Sequence, residues 1–379
     1  MRIVIAPDSF KECLTAEQVA EAIACGWRRG APDDELTLVP LADGGEGTTA
    51  ALTEARQGSL MEVSVSGPLG KPVSARYGLV DEGSIAIVEV AEGSGLHCVP
   101  ESERDALRAS SYGTGELMLA ALAHQPRTLI MGLGGSATTD GGAGILQALG
   151  ARLLDADGND IPPGGAGLAK LASLDLQPAV EQLAGVELVV ACDVNNPLTG
   201  DRGAAAVFGP QKGASPDQVT LLDKNLGHFA RLATSAGFAI DGFAGSGAAG
   251  GIGGMVAGIL GATLRPGIEL VMETVQLEQQ VQNADLVITA EGAIDTQSAY
   301  GKTPAGVAGL AQNYQVPVIG LGGKVSGDLA DLHEQGLTAA FSITPAPMEL
   351  KTAYAQAADN LADISEQIAR LVHRLSLKR

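Results

Sequence analysis

Six polar loops carry the residues whose types and spacing could do chemistry. They read APDSFK (6–11), ADGGEGT (42–48), GLGGSATTDGG (132–142), CDVNNP (192–197) continued by GPQKG (209–213), a glycine-rich stretch at 242–254, and EGAID (291–295) continued by GKTP (301–304). Glycine and serine in succession at a strand-to-helix turn expose backbone N–H groups, and the helix dipole adds positive potential there, so such a turn cradles anions. Gly134, Gly135, Ser136 and Thr138 fit that role. Lys11, Lys212 and Lys302 lie inside these loops and could neutralise phosphate charge. Asp8, Asp43, Asp193, Glu291 and Asp295 could ligate magnesium or accept a hydroxyl proton. Each of these acids would serve equally well as a helix cap or turn residue.

Two short motifs compete for the same residues. Gly301-Lys302-Thr303 has the tail of a P-loop, but the position where that pattern needs its first glycine is Thr296. Gly132-x-Gly134-x-x-Ala137 satisfies a dinucleotide fingerprint, with Asp157 about 20 residues on. The alternative activity is therefore a nicotinamide-dependent dehydrogenase of a small hydroxy acid. No Gly-x-Ser-x-Gly elbow occurs.

Composition narrows the classes. The chain has 379 residues, 45% hydrophobic, with a formal net charge of −20 and 51 glycines. That hydrophobic content builds cores and excludes disorder. The net charge repels nucleic acid, while a small anion is held by local donors and is not excluded. Cys13, Cys25, Cys98 and Cys192 show no CxxC spacing, and even the nearest histidines, His97 and His124, lie too far apart in sequence for a zinc motif. Reduced thiols in a cytoplasmic protein are expected. The opening apolar run reaches Asp8 too soon for a signal peptide. The uncharged stretch from Gly242 to Leu264 imitates a membrane span, but Ile252, Met255, Val256, Ile259 and Leu260 mark one face of a core helix.

The elements that would position the loops follow from periodicity. Apolar runs at 2–6, 36–40, 285–290, 316–321 and 338–343 read as strands covered on both faces. Helices are expected between them, the first opened by a capping box at Thr15 and Gln18. Two strands at the start and three at the end make a five-stranded doubly wound sheet. The middle differs: alternating runs within 60–90 predict antiparallel strands, followed by a helix at 113–124, strands at 128–132 and 186–192, and a helix at 141–149. The fold class is thus α/β with two α/β domains. A flavodoxin-like doubly wound parallel sheet spans 1–64 plus 284–379, and a mixed α/β domain at 65–283 is inserted into it.

In this order, the strings APDSFK, ADGGEGT, SYGTGEL (111–117), GGSAT with DGGAG (134–144), ACDVNNPL (191–198), GPQKGA (209–214), DLVIT (285–289) and GKTP resemble the bacterial glycerate kinase family of the glycerate 2-kinase type. The resemblance runs nearly end to end. It implies ATP- and Mg2+-dependent phosphorylation of D-glycerate to 2-phospho-D-glycerate, with the active site in the cleft between the domains. The glycerate partner is a small molecule; neither nucleic acid nor membrane is implied, and a homo-oligomer is allowed. On this reading Gly134, Gly135, Ser136 and Thr138, with Lys212 and Lys302, hold ATP phosphates. Asp43 or Asp193 holds magnesium. Asp8, Asp193 or Asp295 accepts the hydroxyl proton, with Lys11 also catalytic, and Ser9, Asn195, Arg202 or Lys11 meets the glycerate. Three departures are visible: Ala293 stands where the family usually has arginine, Thr139 where asparagine is common, and Glu12-Cys13 follows DSFK.

Overall fold

Strands that are apolar on both faces need cover on both sides, and in the first unit helices supply it. The computed structural model describes residues 1–10, 13–42, 47–299 and 301–376. The chain divides into two units, Met1–Asp43 with Ile268–Arg379, and Gly44–Gly267.

The first unit is a five-stranded sheet with every strand pair parallel. Across the sheet the strands run Glu35–Leu38, Arg2–Ile5, Leu286–Ile294, Val318–Val325 and Leu337–Ser342. That is the flavodoxin-like order, which reverses direction between the strands Arg2–Ile5 and Leu286–Ile294. Ile3, Ile5, Leu286, Ile288 and Leu321 form the buried floor. The helix Ala16–Gly30 lays Val19, Ile23 and Trp27 on it. Its N-terminus is closed reciprocally: Gln18 N donates to Thr15 Oγ1 at 3.3 Å and Thr15 N donates to Gln18 Oε1 at 3.0 Å.

The last helix, Ala357–Ser376, packs against the first. Leu361 and Ile368 are buried, while Leu371 and Leu375 are exposed and Val372 packs against the core. A Cβ on Gly26 would lie 1.9 Å from Ala362 O, so the helices cross at a separation that only glycine permits. The end of the helix pair is tied by Asp34 Oδ2, which accepts from Trp27 Nε1 at 2.9 Å and lies 2.9 Å from His373 Nε2.

The second unit is built on a six-stranded mixed sheet ordered Thr263–Arg265, Glu187–Ala191, Thr128–Gly132, Ile85–Glu89, Pro72–Val80 and Ser59–Ser66. The first four are mutually parallel, and the last two join them as antiparallel neighbours, as the alternating runs predict. Register aligns Glu89, Gly132, Ala191 and Arg265 in one row at the carboxyl ends of the four parallel strands. Leu117, Met118, Leu129, Ile145, Phe229, Ile252 and Met255 fill the core.

The unit boundaries fall at 43/44 and 267/268, where periodicity had suggested 64/65 and 283/284. The first shift arises because the helix Thr48–Ala55 is held by the second sheet: Glu89 accepts from Gly47 N at 3.0 Å and from Thr49 N. The second arises because Ile268 and Met272 pack against Gly306 of the first unit. Sequence alone shows neither contact, since a helix after a strand reads the same whichever sheet it covers. The reading also passed over the long helix Pro216–Ser235, although its capping box at Ser215 and Gln218 and its Pro216 are written in the sequence. Among the described residues no helix is long and apolar enough to cross a membrane. Ile252, Met255 and Val256 are fully buried.

Gly26→Ala should destabilise the first unit by about 1–3 kcal/mol through overpacking. Urea unfolding followed by Trp27 fluorescence reads it, and an unchanged midpoint would refute the helix crossing.

Candidate functional site

The strand Thr128–Gly132 delivers the loop 133–142 to the carboxyl edge of the second sheet. Asp140 anchors this loop. It is fully buried, and its oxygens accept from Ser111 N at 2.8 Å, Ser111 Oγ at 2.9 Å, Gly142 N at 3.1 Å and Gly144 N at 3.3 Å. Burial pushes its carboxyl above the ordinary aspartate range, against the pull of these donors. On the other side of the loop, Lys212 Nζ donates to Ser136 Oγ at 2.9 Å and to Thr138 O at 2.6 Å. Burial lowers the Lys212 ammonium to about 7, with nearby Asp140 acting in the opposite direction. The glycine-rich stretch closes over the loop: Gly250 has φ +72°, and a Cβ there would sit 2.0 Å from Thr138 O.

Three of the expected loops are therefore brought together here, but Lys212 is not the open phosphate contact the sequence suggested. It is 2% exposed and engaged with the loop itself. The hydroxyls of Thr138 and Thr139 are buried without a hydrogen-bond partner among the described residues. The context of the dinucleotide fingerprint is missing, because the next helix starts only at Ala143, far past Ala137. Asp157 sits in a turn between the short strands Arg152–Leu154 and Ser173–Asp175, not at the end of a neighbouring parallel strand.

The adjacent strand Glu187–Ala191 delivers the next loop. Asp193 is exposed, and its Oδ1 accepts from Gly267 N at 2.8 Å. Arg202 Nη2 donates to Asn195 Oδ1 at 3.3 Å, and Asn196 Nδ2 donates to Arg202 O at 2.8 Å. Asn195 and Arg202 are both exposed, so they form a joined cationic and amide pair open to solvent.

In the first unit, the residues after Arg2–Ile5 and those on Leu286–Ile294 gather where the strand order reverses, the usual ligand crevice of such sheets. Asp8 N donates to Ala290 O at 2.8 Å. The buried Asp8 carboxyl accepts from Ser9 N at 2.6 Å and from Thr303 Oγ1 at 2.6 Å. Lys302 Nζ meets Glu291 Oε1 at 2.7 Å, and Ser298 Oγ donates to Glu291 Oε2 at 3.1 Å. Asp295 Oδ1 accepts from Gln297 N at 2.8 Å, a turn-forming contact. Asp8, Ser9, Glu291, Asp295, Lys302 and Thr303 thus belong to one cluster. Lys11 and Asp43 lie outside the described residues.

Among the described residues no three His, Cys, Asp or Glu side chains group as a metal cage. Magnesium bound together with phosphate oxygens and water needs only one or two protein carboxylates, and the exposed Asp193 fits that donor chemistry. One positioning residue escaped the sequence reading. Glu89 is buried at the carboxyl end of its strand, and burial raises its carboxyl above the usual range although Thr49 and Gly47 donate to it. Its carboxylate occupies the N-terminus of the helix Thr48–Ala55, so that terminus is already neutralised. The signal available was an acid closing the apolar run at 85–89.

Asp140→Asn should cost about 1–3 kcal/mol, because an amide N–H2 would replace an acceptor facing donors from Ser111, Gly142 and Gly144. Chemical denaturation checks it, and an unchanged stability would remove Asp140 as the anchor.

A family model described as the glycerate kinase family matches residues 3–373. A glycerate kinase of Bacillus subtilis is 49% identical over 370 residues, 97% of either chain. A glycerate 2-kinase of Escherichia coli is 46% identical over 370 residues, again 97% of either chain. A crystal structure from Salmonella typhimurium, provisionally assigned as a glycerate kinase 2, superposes with a TM-score of 0.89 at 46% identity over 100% of each chain. With the loops of its sequence standing at the carboxyl ends of parallel strands in both sheets, the chain belongs to the glycerate kinase family.

Proposed function

We propose that the protein is a glycerate 2-kinase, which moves the γ-phosphoryl group of ATP to the C2 hydroxyl of D-glycerate. The observation that carries this is the near-full-length relation to a glycerate 2-kinase at 46% identity. The hydroxyl oxygen forms the new bond to the γ-phosphorus, the bond to the β,γ-bridging oxygen breaks, and ADP leaves with that electron pair. The hydroxyl proton passes to a carboxylate. Phosphoryl transfer asks the protein for positioning and charge stabilisation more than for covalent chemistry.

The backbone of Gly134, Gly135 and Ser136 is suited to polyphosphate, while the Thr138 hydroxyl is buried. Asp193 is suited to magnesium, which when bound neutralises phosphate oxygens. The paired Asn195 and Arg202, and Ser9 beside Asp8, are suited to the glycerate carboxylate and hydroxyls. Asp8 is the proton acceptor favoured here. Hydrogen bonds from Ser9 and Thr303 hold its carboxylate in one orientation, whereas Asp295 is engaged in a turn. Lys302, paired with Glu291, can turn to a phosphate at the cost of that contact. Lys11 as a catalytic cation and Asp43 as the alternative magnesium ligand rest on the sequence alone.

A coupled ADP-release assay over a panel of hydroxy acids, with the product identified by NMR, tests the reading. ADP should appear only with glycerate and magnesium, with the phosphate on C2. Phosphate on C3 would overturn the regiochemistry, and no ADP with any hydroxy acid would overturn the kinase. Asp8→Asn should lower kcat by about 10²–10⁴-fold, the usual contribution of a proton acceptor. Near wild-type turnover in that variant would exclude Asp8 as the acceptor.

A further inference from the structure

Lys212 is among the largest fully buried side chains of the protein, in company otherwise hydrophobic. Burying an ammonium is costly unless it is well partnered, and a methionine would fill comparable space. Both Lys212 hydrogen bonds go to one short turn, to Ser136 Oγ and Thr138 O on either side of Ala137. The opposite side of that turn is fixed by backbone alone: Ala137 N donates to Ser94 O and Leu96 N to Gly135 O, each at 2.8 Å. The turn is therefore held from both sides, with a cation on one of them. Two buried hydroxyls of the same loop, Thr138 Oγ1 and Thr139 Oγ1, have no partner among the described residues.

We infer that Lys212 is a positioning residue for polyphosphate binding: through the Ser136–Thr138 turn it fixes the loop, and its charge stabilises the anion held there. The inference rests on the proposed kinase only for the identity of that anion. The charged neighbours are few. Asp140 comes from the loop itself, Arg104 donates to Gln211 O at 3.1 Å next to Lys212, and the neighbouring helix Ala204–Phe208 carries no ionisable side chain. Since burial lowers the ammonium to about 7, the free protein holds a partly charged Lys212 near neutrality. An anion on the loop favours the charged form. Binding then takes up a proton above that pH, and affinity falls as pH rises, until the bound form also loses its charge.

The test is calorimetric titration of the full chain with ATP and, separately, with inorganic tripolyphosphate, from about pH 7.5 to about pH 9, each affinity being corrected for the ligand's own protonation over that range. Wild-type affinity should weaken by about tenfold across that window, with proton uptake seen in buffers of different ionisation enthalpy. Lys212→Met should bind about tenfold more weakly at the lower pH and show no slope, and Lys212→Arg should show no slope because guanidinium stays charged. Thermal melts establish that each variant is folded. A merely structural lysine would lower affinity in Lys212→Met while wild-type binding stayed flat with pH. That result, or a wild-type slope retained in Lys212→Met, would overturn the inference. A sloping tripolyphosphate response in a protein that releases no ADP would leave the inference standing and sink the kinase. ADP release together with a flat response would do the reverse.

Discussion

Parallel pairing forces every strand so paired to end on the same edge, and the placement of the candidate site residues follows from that constraint. In the second unit, register alone sets Glu89, Gly132, Ala191 and Arg265 side by side. Whatever follows each strand must emerge at that row. The glycine-rich loop after Gly132 and the Asp193–Arg202 loop after Ala191 become neighbours without any contact between them being specified in the sequence. In the first unit the same constraint brings Asp8 and Glu291 together, because their strands adjoin where the order reverses.

The edge gathers loops but does not shape them. Shape comes from buried charges, which are expensive and so hold their partners in place. Asp140 draws in donors from Ser111, Gly142 and Gly144, while Lys212 grips Ser136 and Thr138 from the other side. Glu89 does the same for Gly47 and Thr49. A net charge of −20 is compatible with an anion site for this reason. The field at a loop is set by the nearest amides and by one lysine beneath them, while charges beyond a Debye length are screened.

Much of the fold was legible. The apolar runs gave all five strands of the first sheet, and the alternating runs the antiparallel part of the second. The capping box at Thr15 marked its helix correctly. What misled was attribution. The helix Thr48–Ala55 falls in the stretch 1–64 that the sequence assigns to the first unit, yet Glu89 holds it to the other sheet. The site residues were legible as types and only partly as roles. Lys212 and Lys302 both looked like open cations in polar loops; one is buried under a turn and the other is paired with Glu291.

The order of the loop strings, read from sequence alone, fixed the family, because glycines, acids and lysines in those patterns are local and need no partner to be recognised. The same holds for the strands and caps, which are written in nearest-neighbour periodicity. Tertiary structure alone decided which acids and lysines face solvent and which are buried. It also decided that Asp8 meets Thr303, 295 positions away, and that Lys212 meets Ser136. Such pairs depend on burial and on contacts between residues distant in sequence, and no local pattern encodes either.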